Sequence, residues 1–136
     1  VYVIKSDTSV PKLLPESEWQ KVNIITCAAP NLRPKPSNSM NPGAGDKQAK
    51  VTDEELAELL CSRIRRIFEI ATANDNEVLI LGAFGCGAFM NPPSVVAKVF
   101  AEQLKTFGSF FKAIEFAVFH TEREVQNYNA FKAVIK

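Results

Sequence analysis

The sequence predicts one α/β domain in which helices lie on the faces of a mostly parallel sheet. Segments of strand-like composition alternate with segments whose apolar residues recur at helical spacing, and this order implies right-handed crossovers between parallel strands. One predicted strand, residues 78–81, is an uninterrupted aliphatic run. Such a run is typical of a strand that is covered on both faces.

Length and composition restrict the class of protein further. The 136 residues are 46% hydrophobic with a net charge of +1, which fits one domain over residues 1–136 and disfavours duplex nucleic acid as a partner. Cys27, Cys61 and Cys86 form no CxxC pair, so we expect no disulfide framework, no metal site and no cofactor. The cysteine usage and the absence of a leader or a long apolar run predict a soluble cytoplasmic protein without a membrane partner.

The first predicted strand, residues 1–4, lies at the very start of the chain. Because the chain begins with Val inside this strand, we expect the domain to be incomplete at its N-terminus. Pro11 and Pro15 then indicate an excursion at the edge of the sheet. The next strand is predicted at residues 21–29, which are rich in β-branched residues and end at Pro30.

A long flexible loop within the domain is predicted at residues 31–50, which are rich in Pro, Gly, Asn and Ser. Thr52 and Glu55 then have the spacing of a capping box, and apolar residues recur at helical spacing as far as Ala71. An amphipathic helix is therefore expected here, with its end at residues 74–76.

The second half of the chain predicts two more helices and a strand. Asn91 is expected to cap a helix over residues 92–106, which Gly108 closes. A strand follows at residues 112–119. Thr121 and Glu124 form a second capping-box pattern, which predicts the start of the last helix. Since the strands are parallel, the ends of all three main strands are expected at one edge of the sheet.

A glycine-rich loop with the sequence GAFGCGAF follows the aliphatic strand, at residues 82–89. Small residues let main-chain N–H groups approach an anion closely, and the N-terminus of the next helix adds a favourable partial charge. The loop has neither the GK[ST] of a P-loop nor the GxGxxG dinucleotide fingerprint, so a diphosphate held by main-chain donors fits it best. The alternative is that the glycines only form a tight turn.

Three stretches of the chain resemble the microbial-type poly(ADP-ribose) glycohydrolases, a branch of the macrodomain superfamily. They are VNIITCAAPN, LILGAFGCGAFMNPPSVVAKVFAEQL and AIEFAVFH, and the resemblance is to the C-terminal part of such an enzyme. It implies a three-layer α/β/α macrodomain. It also implies a ligand or partner that is ADP-ribose, poly(ADP-ribose) or an ADP-ribosylated protein.

The resemblance implies a set of ligand-binding residues at the edge of the sheet. The glycine loop would wrap the diphosphate and the distal ribose, with Phe89 against that ribose, and Phe119 would lie near the adenine or its ribose. The implied residues are Gly82, Ala83, Phe84, Gly85, Cys86, Gly87, Ala88, Phe89, Ala29, Pro30, Asn31 and Phe119.

The sequence also departs from the pattern of this family. Its members hydrolyse the ribose–ribose linkage with a glutamate in a glycine-rich segment that ends in Gln-Glu-Glu, and these 136 residues contain no such segment. Glycosidic cleavage needs a positioned carboxyl group as general acid, so the catalytic residues stay unassigned. Two functions remain open: a glycohydrolase whose catalytic segment lies outside these residues, and a non-catalytic ADP-ribose-binding module. If the polypeptide lacks the N-terminal half of such a domain, we expect exposed apolar surfaces that could mediate self-association.

A third hypothesis is a Cys–His hydrolase or amidotransferase. Cys86 lies between a strand and a helix N-terminus, which is expected to lower the pKa of its thiol. His120 and Glu122 follow the next strand, so a triad of these three side chains is conceivable. The alternative is that Cys86 only packs in an apolar loop.

Overall fold

The computed structural model describes residues 1–135, in which helices and strands alternate in nearly the predicted order. Three short 3-10 turns lie between the main elements, at Glu16–Glu18, Pro42–Ala44 and Gly108–Phe110. The main elements are β1 (Tyr2–Val3), β2 (Gln20–Lys21), α1 (Asp53–Ala73), β3 (Val78–Leu81), α2 (Pro93–Phe107), β4 (Ala113–Phe116) and α3 (Gln126–Val134).

The strands form two small sheets. β1 pairs with β2 in antiparallel orientation, and β3 pairs with β4 in parallel orientation with Val78 opposite Ala113. The parallel pair is joined through α2, as expected for a β-α-β unit. The α/β class predicted from the alternation of the elements is confirmed.

One face of the parallel pair is packed against the helices. Leu79 and Leu81 join the buried residues of α1 and α2 in a single core, in which Phe68 and Phe100 are almost fully buried. The opposite face of β3 is bare, because 56% of Val78 and 68% of Ile80 is exposed. The second covering layer that the aliphatic run predicts is therefore not supplied by residues 1–135.

Helix α1 begins with the predicted capping box. The Thr52 side chain accepts a hydrogen bond from the Glu55 amide at 3.2 Å, and the Glu55 carboxylate accepts one from the Thr52 amide at 2.8 Å. These two bonds satisfy main-chain donors that a helix start otherwise leaves free. The helix ends at Ala73 with Asn74 as its C-cap, in agreement with the end predicted at residues 74–76.

The predicted strand over residues 21–29 is wrong in extent, since β2 ends at Lys21. Residues 22–29 form no strand, although their composition is that of one. The physical reason is pairing: a strand needs a neighbour for its main-chain groups. Along this segment the neighbouring position is an open cleft toward β3.

The second predicted capping box is also wrong as a helix start. Thr121 does accept a hydrogen bond from the Glu124 amide at 3.1 Å, but this bond closes a turn before the helix. Helix α3 begins at Gln126 behind Val125, which makes no side-chain capping bond. The threonine and glutamate spacing alone cannot distinguish a turn from a helix cap.

The loop over residues 31–50 contains the short turn Pro42–Ala44 and an isolated bridge between Asn38 and Asn41, and it is mostly exposed. Within residues 1–135, no helix is long and apolar enough to cross a membrane. No group of three or more His, Cys, Asp or Glu side chains that could hold a metal ion occurs in the same range.

Candidate ligand-binding site

The glycine loop after β3 is built from two consecutive turns. In the first, the Cys86 amide donates to the Ala83 carbonyl at 3.0 Å and Gly85 has a φ of +72°. These are the features of a type II turn, which needs glycine at its third position. In the second, the Met90 amide donates to the Gly87 carbonyl at 3.0 Å, and Met90 itself has a φ of 59°. The turns thus fold residues 83–90 into a compact loop at the carboxyl end of β3.

The main-chain amides of this loop are largely free. Among the hydrogen bonds of the described residues, only the Cys86 amide of residues 82–89 has a protein acceptor. Gly87 is exposed and has open space where a side chain would begin. Free N–H groups gathered in tight turns form concave sites that bind anions. The loop therefore offers donors that could hold a diphosphate.

The end of the segment 22–29 lies directly beside the glycine loop. The Leu32 amide donates to the Phe89 carbonyl at 2.9 Å. A Cβ atom placed on Gly85 would lie 2.6 Å from the Cβ atom of Ala29, so the two chains touch at this point. The end of β3 and the end of the segment 22–29 thus lie together, as predicted, although the second of these segments is not a strand.

Asn91 ties the two chain segments together. Its side chain is 2% exposed, and its Nδ2 group donates to the Pro30 carbonyl at 2.8 Å and to the Gly85 carbonyl at 2.9 Å. The prediction that Asn91 caps α2 is wrong, because the N-cap is Pro92 and no side chain caps this helix. A buried amide that satisfies two carbonyls on different loops holds those loops at a fixed separation.

The environment of Cys86 differs from the sequence-based expectation. Burial raises the pKa of its thiol from 9.0 to about 11, and its Sγ atom lies 3.7 Å from the Phe84 carbonyl oxygen as a donor. The expected lowering of this pKa is wrong, because desolvation of the thiolate dominates. His120 packs against Tyr128 with ring centroids 4.3 Å apart and the ring planes tilted by 36°. The described hydrogen bonds contain none between Cys86 and His120, and the Cys–His hypothesis stays a prediction.

Comparison with known proteins identifies the fold. No protein-family model and no curated protein matches the chain. A crystal structure of poly(ADP-ribose) glycohydrolase from Deinococcus radiodurans in complex with ADP-ribose matches at 29% identity with a TM-score of 0.76, covering 98% of this chain and 49% of that chain. The glycohydrolase of Thermomonospora curvata matches at 30% identity with a TM-score of 0.57, covering 62% of this chain and 32% of that chain.

The chain resembles the C-terminal part of a microbial poly(ADP-ribose) glycohydrolase. Its fold is the macrodomain-like α/β fold of those enzymes, as the resemblance in sequence implied. The chain spans about half the length of the Deinococcus radiodurans glycohydrolase, which it matches over 98% of its own length.

The other ligand-binding residues that the resemblance implies differ in how far they are buried. Pro30 is buried, Asn31 is half-buried and accepts a hydrogen bond from the Arg33 amide at 3.2 Å. Phe84 and Phe89 are half-buried beside the loop backbone. Phe119, three residues after β4, is 82% exposed, and its role stays a prediction.

The roles of two residues near the glycine loop were not predicted from the sequence. Asn91 was interpreted as a helix cap, and the proline after it gave no sign that its amide turns back toward the loop. Arg63, on α1, was part of a helical face, yet its guanidinium donates to the Ala28 carbonyl at 2.6 Å. Both contacts join residues far apart in the chain, so only the folded arrangement reveals them.

Proposed function

We propose that the chain is part of an ADP-ribose-binding domain of the poly(ADP-ribose) glycohydrolase type and that residues 82–89 hold the diphosphate. The observation that carries this proposal is the row of free main-chain amides in a loop braced against Ala29 and Pro30. The similar glycohydrolase from Deinococcus radiodurans was crystallised with ADP-ribose, which supports the same ligand for this chain.

The chemistry of the loop suits a diphosphate that is joined to two riboses. Main-chain N–H groups can donate hydrogen bonds to several oxygens of a diphosphate without a lysine or arginine side chain. The N-terminus of α2, which begins just after the loop, adds a favourable partial positive charge. Phe84 and Phe89 add apolar surface for the ribose rings. The ligand would be ADP-ribose itself, or the ADP-ribose unit of a polymer or of a modified protein.

Cleavage of the ribose–ribose linkage requires a carboxyl group close to the bond. Two carboxylates of the chain make other contacts: Glu55 is bonded in the cap of α1, and Glu77 forms an ion pair with Lys112 at 2.6 Å. The Gln-Glu-Glu segment of the glycohydrolases does not occur in these 136 residues. We therefore propose that this polypeptide binds the ligand and that any catalytic glutamate belongs to a segment outside it.

Calorimetric titration of the 136-residue chain with ADP-ribose tests the binding proposal. We expect a dissociation constant on the order of micromolar. Substitution Gly87→Asp should abolish binding, because a carboxylate in this open position repels the diphosphate without a clash. Gly43→Asp is the matched control, since Gly43 also has open space around it but lies in the loop over residues 31–50. Equal affinities for both variants, or no binding by the wild type, would contradict the proposal.

An activity assay tests the second part. The 136-residue chain incubated with poly(ADP-ribose) should release no free ADP-ribose. Release at a rate that depends on the chain would show that one of its own carboxylates is catalytic. Binding without release is the expected combination.

A further inference from the structure

An open slot runs between β3 and the extended segment at residues 22–27. It has a volume of about 990 Å³, and its floor is formed by Ile67, Ala71 and Phe100 of the two helices underneath. These floor residues belong to the buried core. The slot therefore interrupts the sheet layer at a place where the helix layer continues.

The two walls of the slot run in the same direction. At one end the side chain of Asn23 donates to that of Asn76 at 2.8 Å, and at the other end Asn91 donates to the Pro30 carbonyl at 2.8 Å. Asn23 precedes Pro30 in the chain just as Asn76 precedes Asn91. The segment 22–29 is therefore parallel to β3.

Both walls present unpaired main-chain groups to the slot. Among the described residues, no amide of residues 23–29 donates a hydrogen bond to a protein acceptor. On the opposite wall, the carbonyls of Glu77 and Leu81 face β4, because they accept from Lys112 and Ala117. Since alternate residues of a strand direct their main-chain groups to opposite edges, those of Val78, Ile80 and Gly82 face the slot.

We propose that this slot receives a parallel β-strand of about five apolar residues, hydrogen-bonded to β3 on one side and to residues 23–27 on the other. A small molecule would match neither wall, because the donors and acceptors repeat at strand spacing along both. A segment of polypeptide matches both walls at once. The floor is apolar and Ile24 and Ile80 flank the outer face, so the strand must be apolar on both faces.

The occupant is the half of a glycohydrolase-type chain that this chain does not match. The Deinococcus radiodurans chain has about as much polypeptide again outside the match, since the match covers 98% of this chain and 49% of that chain. The inserted strand lies parallel to its neighbours, so its carboxyl end reaches the edge that carries the glycine loop. Whatever residues follow that strand are delivered to the gap between the glycine loop and Ala29.

Amide hydrogen exchange tests the slot directly. The main-chain amide and carbonyl of Val22 both bond to Val1, so by alternation the amide of Ile25 faces the slot. In the 136-residue chain alone, the amides of Ile25 and Ile80 should exchange rapidly, while those of Leu79 and Leu81, which face β4, are protected. Adding the separately expressed unmatched half of the Deinococcus radiodurans glycohydrolase should slow exchange at Ile25 and Ile80 by about tenfold or more through their new hydrogen bonds. Protection of both amides in the chain alone, or none in the mixture, would overturn the proposal.

A pair of variants separates strand addition from other contacts. Ile80→Pro removes the slot-facing amide, and proline is tolerated on a free strand edge, so the isolated chain should still fold. It should weaken the complex by at least about tenfold. Ile80→Ala removes the same exposed side chain but keeps the amide, and it should bind within about twofold of the wild type. Equal affinity of both variants would show that the partner docks elsewhere, and protection of the slot by a second copy of this chain would show that the occupant is wrong.

Discussion

At the scale of single residues, Asn91 holds the candidate site together. Its amide reaches the Pro30 and Gly85 carbonyls from a buried position, and its Oδ1 atom has no partner among the described residues. Asn91→Asp replaces the Nδ2 group that donates both bonds with a carboxylate oxygen, which then faces the two carbonyl oxygens. We expect a loss of about 3 kcal/mol in the free energy of unfolding, measured by urea denaturation.

The same substitution at Asn74 is the control for this prediction. Asn74 also donates its side-chain amide to a carbonyl, that of Ile70 at 2.8 Å, but it is exposed at the end of α1. Asn74→Asp should cost about 1 kcal/mol or less. Hydrogen exchange at the Leu32 amide, which bonds to Phe89, should accelerate in the Asn91 variant only. Similar losses for both variants would refute a special role for Asn91.

The raised pKa of Cys86 predicts a specific pH dependence. The unfolded chain ionises this thiol near 9.0 and the folded chain near 11, so the thiol contributes stability below pH 9 that is lost as the pH rises from 9 to 11. Iodoacetamide should alkylate Cys86 with an apparent pKa of about 11 in a variant that carries Cys27→Ser and Cys61→Ser. In urea the same variant should react with an ordinary thiol profile. A midpoint below 9 in the folded protein would restore Cys86 as a candidate nucleophile.

Some residue roles followed from the sequence and others did not. The turn at Gly85 was predictable, because a cluster of glycines after a strand implies positive φ angles nearby. The clamp by Asn91 was not, since an asparagine before two prolines has the same local pattern whether it caps a helix or bridges two loops. Which carbonyls it reaches depends on Pro30, which is 61 residues away.

At the scale of secondary-structure elements, the start of α1 offers the clearest test. Thr52→Ala removes the side-chain acceptor of the Glu55 amide and should lower the free energy of unfolding by about 1 kcal/mol. Thr121→Ala removes a similar bond to the Glu124 amide, which caps no helix. Its cost should stay below about 0.5 kcal/mol. Urea denaturation of both variants measures the difference, and an equal loss would mean that the Thr121 turn supports α3 as a true cap.

Helices were easier to predict than strands in this chain. The helical spacing of apolar residues in α1 and α2 is a local property, and the predicted bounds agree with the structure to within one or two residues. β3 and β4 lie within their predicted ranges, although β4 is shorter. The strand prediction for residues 22–29 was wrong because β-branched composition predicts only an extended backbone, whereas a strand also needs a hydrogen-bonded neighbour.

At the scale of the whole molecule, the bare face of β3 predicts weak self-association. Val78 and Ile80 expose apolar surface that nothing in residues 1–135 covers. Ile80→Thr should reduce association at high protein concentration, measured by sedimentation velocity, and should change the stability by less than about 1 kcal/mol. Val10→Thr is the control, because Val10 is about as exposed as Ile80 but lies outside β3.

The result of that experiment also bears on the slot. Association through the bare face leaves the slot-facing amide of Ile80 exchanging rapidly, because side chains and not main-chain groups make the contact. Association that is unchanged in the Ile80→Thr variant would show that another surface is responsible.

The overall class was predictable from the sequence, whereas the layer structure was not. Alternating strand-like and helix-like segments require an α/β arrangement wherever they fold. The number of faces that are covered depends on how much polypeptide is present around the sheet. The aliphatic run of β3 shows this limit, because its composition suits burial on both faces while residues 1–135 bury only one.

In the sequence, the exposed loop over residues 31–50 separates the buried core from part of the proposed ligand-binding site. All of the buried core residues lie between Leu56 and Phe131, on the far side of this loop from Ala29 and Pro30. A protease that cuts between Gly45 and Asp46 would therefore leave the helical core in one fragment and part of the proposed ligand cradle in the other. Cleavage at this point should abolish the binding of ADP-ribose, while the far-ultraviolet circular dichroism of the helices persists.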